Sequence, residues 1–474
     1  MAALAKKGMY PGNCRDGNWE LHMLPASSGA VCLDGSPAGF YYFRAPPGTR
    51  RFPATNQSWM LFFEGGGWCV SEEDCAVRAL GHAGSSSGWS RHTSFGGVLN
   101  KCCFCTSFCT YHRVVMKSCD GSSFAGAAVS DVSLDGSQWN GHQLPQRVHF
   151  AGRAIVAEVL RTLISRFGLG HAHDVLVAGC SAGGLAALLM AESIRATLLA
   201  AATPLLKFKV LAFSGLFFVP PASGSGSSGD QHPFALQMAK VAKMAGIDQL
   251  PSCRGDASAR CLLGTAPLEA VPPDVPVFIV QSPVDTWQLS CVLGAATSDS
   301  ARRVFLAGCA SGQWSQCTGW MGGARAAAKS RSCPSERLAE LRAYQHSVAD
   351  ALRSSPVLTR AGSGAYVHSC GSHCEDTDTL IYTRIGDFPI KRALQAWFRA
   401  SPADSAATHT RFGCLPNWGN RTAGDCAKET CGGARLESLP PPAAGKHAKE
   451  TARLLRSRHA NTSCHLGNGQ CRER

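Results

Sequence analysis

The chain has 474 residues, 45% of them hydrophobic and 17% charged. That is long enough for one large enzyme domain or two ordinary ones, and too apolar for a chain disordered throughout. The formal net charge of +13 is scattered, densest in residues 446–459. No DNA-reading or base-stacking motif accompanies it, so a nucleic-acid partner is not expected; a solvated basic surface or an anionic polysaccharide suits the charge better.

The N-terminal residues 1–30 read as an irregular segment. From residue 31 to about 45 short apolar and aromatic runs, split by Gly and Pro, read as hairpin strands. "SWMLFFEGGGWC" (residues 58–69) reads as a buried strand ending in a glycine-rich turn, and "YHRVVMKSC" (residues 111–119) as another strand. Residues 149–168 carry Ile155, Val159 and Leu163 at helical spacing. "DVLVAGC" (residues 174–180) is a further buried strand, followed by one continuous helix through "LAALLMAESIRATL". Buried strands recur at residues 209–218 and 276–289, with a Gly/Ser-rich insertion at 220–233 between them. A long helix over residues 336–355 precedes a strand and loop at 364–374. Strands alternating with helices predict an α/β fold: a mostly parallel central sheet flanked by helices on both faces. The expected organisation is an esterase-sized domain over residues 31–400 and a Cys-containing basic extension over 401–474, partly disordered. No run is long and apolar enough to span a membrane.

The 23 cysteines predict an oxidising compartment and disulfide-stapled loops. Cys69 with Cys75, and Cys253 with Cys261, are spaced to close small loops, although spacing alone does not settle pairing. Asn-X-Ser/Thr sites at Asn56, Asn420 and Asn461 fit a secreted glycoprotein. The first twenty residues carry no apolar signal-peptide core, so either the start lies upstream or export takes another route.

Gly179-Cys180-Ser181-Ala182-Gly183 matches G-x-S-x-G between a strand and a helix, the setting of a nucleophile elbow. A capping serine in a plain turn is the competing reading. Gly65, Gly66 and Gly67, directly after an upstream buried strand, suit half of an oxyanion hole, and the Ala182 N–H suits the other half. In the chain order Ser, acid, His, the acid is Asp285, just past a buried strand, with a helix N-cap as its competing role. The base is His373 or His368, both in the loop after a late strand, with His373 preferred.

The words "CLDGSPAGFYYFR", "MLFFEGGGWC", "CDGSSFAG", "GCSAGGLAALL", "VQSPVDTWQL" and "HSCGSHCED" stand in the order of the pectin acetylesterase/Notum family, which the chain resembles over residues 31 to 398. The plant-type members look closer. The resemblance implies an α/β-hydrolase-like fold and a secreted or cell-wall serine carboxylesterase without metal or organic cofactor. It carries the nucleophile onto Ser181, the acid onto Asp285, the base onto His373 and the oxyanion-hole amides onto Gly66, Gly67 and Ala182. The expected substrate is an O-acyl, foremost O-acetyl, ester on a polysaccharide such as pectin; a monomer is expected. The alternatives are a Notum-like protein fatty-acyl esterase and a non-catalytic glycan-binding relative. A third is a metal-binding module at "CCFCTSFCTYH" (residues 102–112).

Overall fold

The computed structural model describes residues 19–45, 57–100, 108–132, 138–139, 141–220, 231–256, 259–293, 335–374, 383–401, 403–413, 430–431 and 434–435. The expected glycosylation sites Asn56, Asn420 and Asn461, the Cys-rich residues 101–107, the insertion core 221–230, and Cys414 and Cys426 lie outside the described residues.

Among the described residues one sheet has ten strands: β1 (Trp19–Met23), β2 (Gly39–Phe43), β3 (Ser58–Phe63), β4 (His92–Thr93), β5 (His112–Met116), β6 (Asp174–Cys180), β7 (Lys207–Phe213), β8 (Val277–Gln281), β9 (Gly364–Val367) and β10 (Arg411–Phe412). Their spatial order is β10-β9-β8-β7-β6-β3-β5-β2-β1-β4. From β10 to β5 all neighbours are parallel; β5-β2-β1-β4 continue antiparallel. The parallel strands are near-continuous apolar runs because both of their faces are covered. Along β6, Val175 and Val177 enter one hydrophobic cluster, and Leu176, Ala178 and Cys180 enter the other.

The helices are α1 (Glu72–Arg78), α2 (Gly152–Thr162), α3 (Ala182–Leu189), α4 (Ala191–Ala200), α5 (Pro233–Ala245), α6 (Thr286–Cys291), α7 (Ser335–Ser354), α8 (Ile390–Arg399) and α9 (Ala406–His409). The first cluster takes apolar residues from α2, α3, α4, α5 and α7. The second face is covered by α8, whose Ile390, Ala393, Leu394, Trp397 and Phe398 repeat at amphipathic helical spacing, and by loop residues such as Leu99 and Phe108. Lys209, fully buried on β7, reaches this layer: its Nζ donates to the carbonyls of Trp397 (2.8 Å) and Ala400 (3.2 Å) at the end of α8. The Trp397 carbonyl also accepts the Ala400 N–H at 3.2 Å, and a cation at this end suits the helix dipole.

Several local expectations differ. The strand expected over residues 276–289 stops at Gln281, and Thr286–Cys291 forms α6. Trp19–Met23, expected within an irregular segment, forms β1, with Trp19 buried against Phe43 and Phe95. Arg411–Phe412, expected in the C-terminal extension, adds β10 to the sheet edge beside β9. The helix expected to run on after Ser181 breaks at Met190 into α3 and α4, bent by 48°. The two together are apolar enough to pass as a bent span, but no single helix among the described residues is long and apolar enough to cross a membrane. Every residue of α3 is buried, as a core helix requires.

Candidate active site

β6 delivers Ser181 to the C-terminal edge of the parallel strands. There the chain must turn directly into α3, and Ser181 takes φ 60°, ψ −130°, a conformation that costs a non-glycine residue about 1–3 kcal/mol. The glycines two residues away on each side have steric reasons. A Cβ at Gly179 would sit 2.1 Å from the Gly183 carbonyl oxygen, and one at Gly183 would sit 2.2 Å from the Phe63 oxygen. The Ser181 N–H donates to Phe213 O at 2.9 Å, fixing the turn to β7.

The Ser181 hydroxyl does not cap α3. Its Oγ lies 2.9 Å from His373 Nε2, and His373 Nδ1 lies 2.8 Å from Asp285 Oδ2. A carboxylate only accepts, so Nδ1 carries the ring proton and Nε2 accepts from the serine O–H. Asp285 is 1% exposed. Its second oxygen, Oδ1, accepts the Gln288 N–H at 2.9 Å and caps α6. The acid and the helix cap, two competing roles in the sequence, are two oxygens of one carboxylate.

The loop carrying His373 is tied to the loop carrying Asp285. Ser282 Oγ donates to Cys370 O at 2.6 Å and Thr286 N–H donates to Ser372 O at 3.4 Å. Trp287 stacks on the His373 ring, centroids 5.9 Å apart and planes 25° off parallel. A disulfide joins Cys180 to Cys374, the residue before Ser181 to the residue after His373. His368, the other candidate base, is fully buried, and its Nδ1 accepts the Cys370 N–H at 3.2 Å; it is His373 that bridges Ser181 and Asp285.

Gly65, the first of the three loop glycines, passes directly over the nucleophile. A Cβ on Gly65 would lie 2.6 Å from Cys180 O and 3.0 Å from Ser181 Cβ, and Gly67 has φ +66°. Ala182 is the first residue of α3, where backbone N–H groups have no intrahelical acceptor and the dipole favours negative charge. The glycine loop, Ser181 and His373 line one cavity of about 780 Å³. One wall is apolar: Phe62, Phe95, Leu99 and Val115; Glu64 and Arg78 stand on the polar side.

The family model described as Pectinacetylesterase matches residues 15–417. The chain belongs to the pectinacetylesterase family. It is therefore a carboxylic ester hydrolase, and this pectinacetylesterase shares its fold with a solved relative. The Drosophila Wnt deacylase Notum superposes with a TM-score of 0.57 at 20% identity, covering 82% of this chain and 95% of that one. Pectin acetylesterase 5 of Arabidopsis thaliana is 26% identical over 393 residues, 80% of this chain and 79% of its own length. Human palmitoleoyl-protein carboxylesterase Notum is 31% identical over 215 residues, 44% of this chain and 39% of its own.

Disulfides Cys69–Cys75 and Cys253–Cys261 close the two short loops considered from spacing, and Cys32–Cys119 adds a third staple. Cys109, at the edge of the stretch considered for a metal, is also disulfide-bonded. Reading the sequence did not pair Cys180 with Cys374, and it missed the Trp287 stack on His373 and the Arg78 hydrogen bond to Gly66 O. Two cysteines 194 residues apart leave no local signal, and an arginine on a charged helix reads as solvated surface.

Proposed function

We propose that this pectinacetylesterase hydrolyses O-acyl esters, foremost O-acetyl groups on an acidic polysaccharide such as pectin, with Ser181 as nucleophile, His373 as base and Asp285 as its orienting acid. The observation that carries this reading is the unbroken hydrogen-bonded series Ser181–His373–Asp285 at 2.9 and 2.8 Å. His373 takes the serine proton as Oγ attacks the ester carbonyl, and the N–H groups of Gly66, Gly67 and Ala182 hold the resulting oxyanion. His373 then protonates the leaving alcohol. Water attacks the acyl-enzyme by the same route and releases the acid. Asp285 keeps Nδ1 protonated and stabilises the imidazolium that forms. The disulfides favour an extracellular setting. The formal net charge of +13 suits an anionic polymer.

The apolar wall of Phe62, Phe95, Leu99 and Val115 favours a second reading, a longer acyl chain, as the name of the protein-acting Notum relative indicates for that protein. Hydrolysis of p-nitrophenyl acetate, butyrate and palmitate by the wild type and Ser181→Ala decides both questions. The expected result is turnover highest on acetate, and a loss on the order of 10⁴-fold or more in the variant. A maximum on palmitate selects the second reading. Turnover unchanged in Ser181→Ala overturns the assignment of the nucleophile.

A further inference from the structure

We infer that Arg78, at the end of α1, is a positioning residue for the oxyanion hole: it holds the Gly66 carbonyl and thereby aims the Gly67 N–H at the site above Ser181. The inference rests on the triad reading above and concerns how its anion-binding amides are kept in place.

A loop of three glycines has more backbone freedom than any other tripeptide. An oxyanion hole made from it works only if its N–H groups are fixed before charge develops. The restraint must come from outside the loop, and it does. Arg78 Nη2 donates to Gly66 O at 2.5 Å, while its Nε donates to Ala83 O at 3.1 Å. One planar guanidinium thus anchors the loop to the turn that follows α1, and a fixed fork with two carbonyls leaves it little freedom to swing. No cis peptide is present among the described residues. In a trans peptide the C=O of one residue and the N–H of the next point in opposite directions. Pulling the Gly66 oxygen toward Arg78 therefore turns the Gly67 N–H the other way, within the cavity that Gly66, Gly67, Arg78 and Ser181 line together.

The anchor is itself anchored. Burial pushes the Arg78 guanidinium below its ordinary value, and the Asp74 and Asp120 carboxyls oppose that loss of charge. Asp74 Oδ2 accepts the Val70 N–H at 2.9 Å, and the Cys69–Cys75 disulfide joins α1 to the chain just after the glycine loop. Asp120 is fully buried and accepts from Ser122 Oγ. At the other end of the loop, Glu64 is held by Lys117 Nζ at 2.5 Å and by the Ser118 N–H at 3.1 Å. The loop is clamped at its start by Glu64 and at its middle by Arg78.

The test compares the wild type with Arg78→Met and Arg78→Lys on p-nitrophenyl acetate, per active site titrated with a fluorophosphonate. It adds the affinity of a trifluoromethyl ketone, whose tetrahedral adduct carries the oxyanion. Loss of a whole oxyanion donor costs about 10²–10³-fold in kcat; a donor left in place but poorly aimed should cost about tenfold to a hundredfold. We expect Arg78→Met to lose that much in kcat with KM within about twofold, and ketone affinity to fall by the same factor. Arg78→Lys should fall between, because one ammonium cannot reproduce the fork; it also carries the test if the Met variant does not fold. Unchanged kcat per titrated site overturns the inference. So does a raised KM at constant kcat, which makes Arg78 a substrate contact, or a lower kcat with ketone affinity intact. Failure of Ser181→Ala to abolish turnover would instead strike the triad reading, so the two are distinguishable.

Discussion

Asp285 shows how much one side chain can carry. One oxygen orients His373 and the other starts α6. Asparagine can keep the second task, since its amide oxygen still accepts the Gln288 N–H, but its NH₂ would face Nδ1 and force the other ring tautomer. Asp285→Asn is therefore expected to lose about 10⁴-fold in kcat while its melting temperature stays within a few degrees of wild type, as kinetics and calorimetry would show. Asp285→Ala should in addition lose the cap, about 1 kcal/mol. At this scale the sequence was informative where local words carry the geometry. Ser181 sits in a pattern whose glycines are there because backbone approaches backbone, and Asp285 follows a buried strand. It offered His368 beside the preferred His373, because both lie in one loop, and the fold is what brings His373 to Ser181. It was silent on Arg78, whose role is set by a carbonyl twelve residues away.

At the scale of elements, the closest approaches that any described glycine makes lie at the junction between β6 and α3. Gly183 packs against the β3 carbonyls of Phe63 and of the following Glu64, which lie 2.2 and 2.7 Å from where a Cβ would stand. Backbone on that side cannot yield as a flexible side chain would. Gly183→Ala is expected to cost at least about 2–3 kcal/mol and to displace Ser181. Gly81→Ala, where the nearest atom is 3.7 Å away, should be close to neutral; denaturant unfolding of the two variants checks this. The long buried strands β3, β6, β7 and β8 were legible because short apolar runs bounded by turns, alternating with helices, are what a sheet covered on both faces demands. β1 and β10 were not. β1 lies in a segment of mixed polarity, and β10 is two residues long, so only the edge it joins makes either one a strand. The break at Met190 was equally hidden, since the apolar pattern continues through it.

At the scale of the whole molecule, two buried histidines resist protonation. Burial lowers His112 to about 4, with Arg44 adding to the effect, and lowers His232 to about 4. His112 lies 2.6 Å from the Tyr42 hydroxyl through Nδ1, and His232 Nδ1 accepts the Phe234 N–H at the start of α5. An unfolded histidine takes up its proton near 6.5, whereas these take theirs near 4. Between those values the unfolded chain binds more protons, so stability is lost as pH falls through that window. The urea midpoint is expected to drop between pH 7 and pH 4.5, and to drop less in His112→Gln, whose amide can still meet Tyr42. An equal drop in both would show that His112 stays charged in the folded state.

The Cys180–Cys374 bond has a consequence for a chain that has lost its fold. Unfolded but still oxidised, the polypeptide keeps Ser181 and His373 as covalent near-neighbours, joined through two adjacent cysteines rather than through the 194-residue separation between them. Bringing such distant points together in a free chain costs about 5 kcal/mol of loop closure. The oxidised protein carries that closure with it through denaturation, so the encounter between nucleophile and base is a memory stored in the covalent structure rather than a search repeated at each refolding.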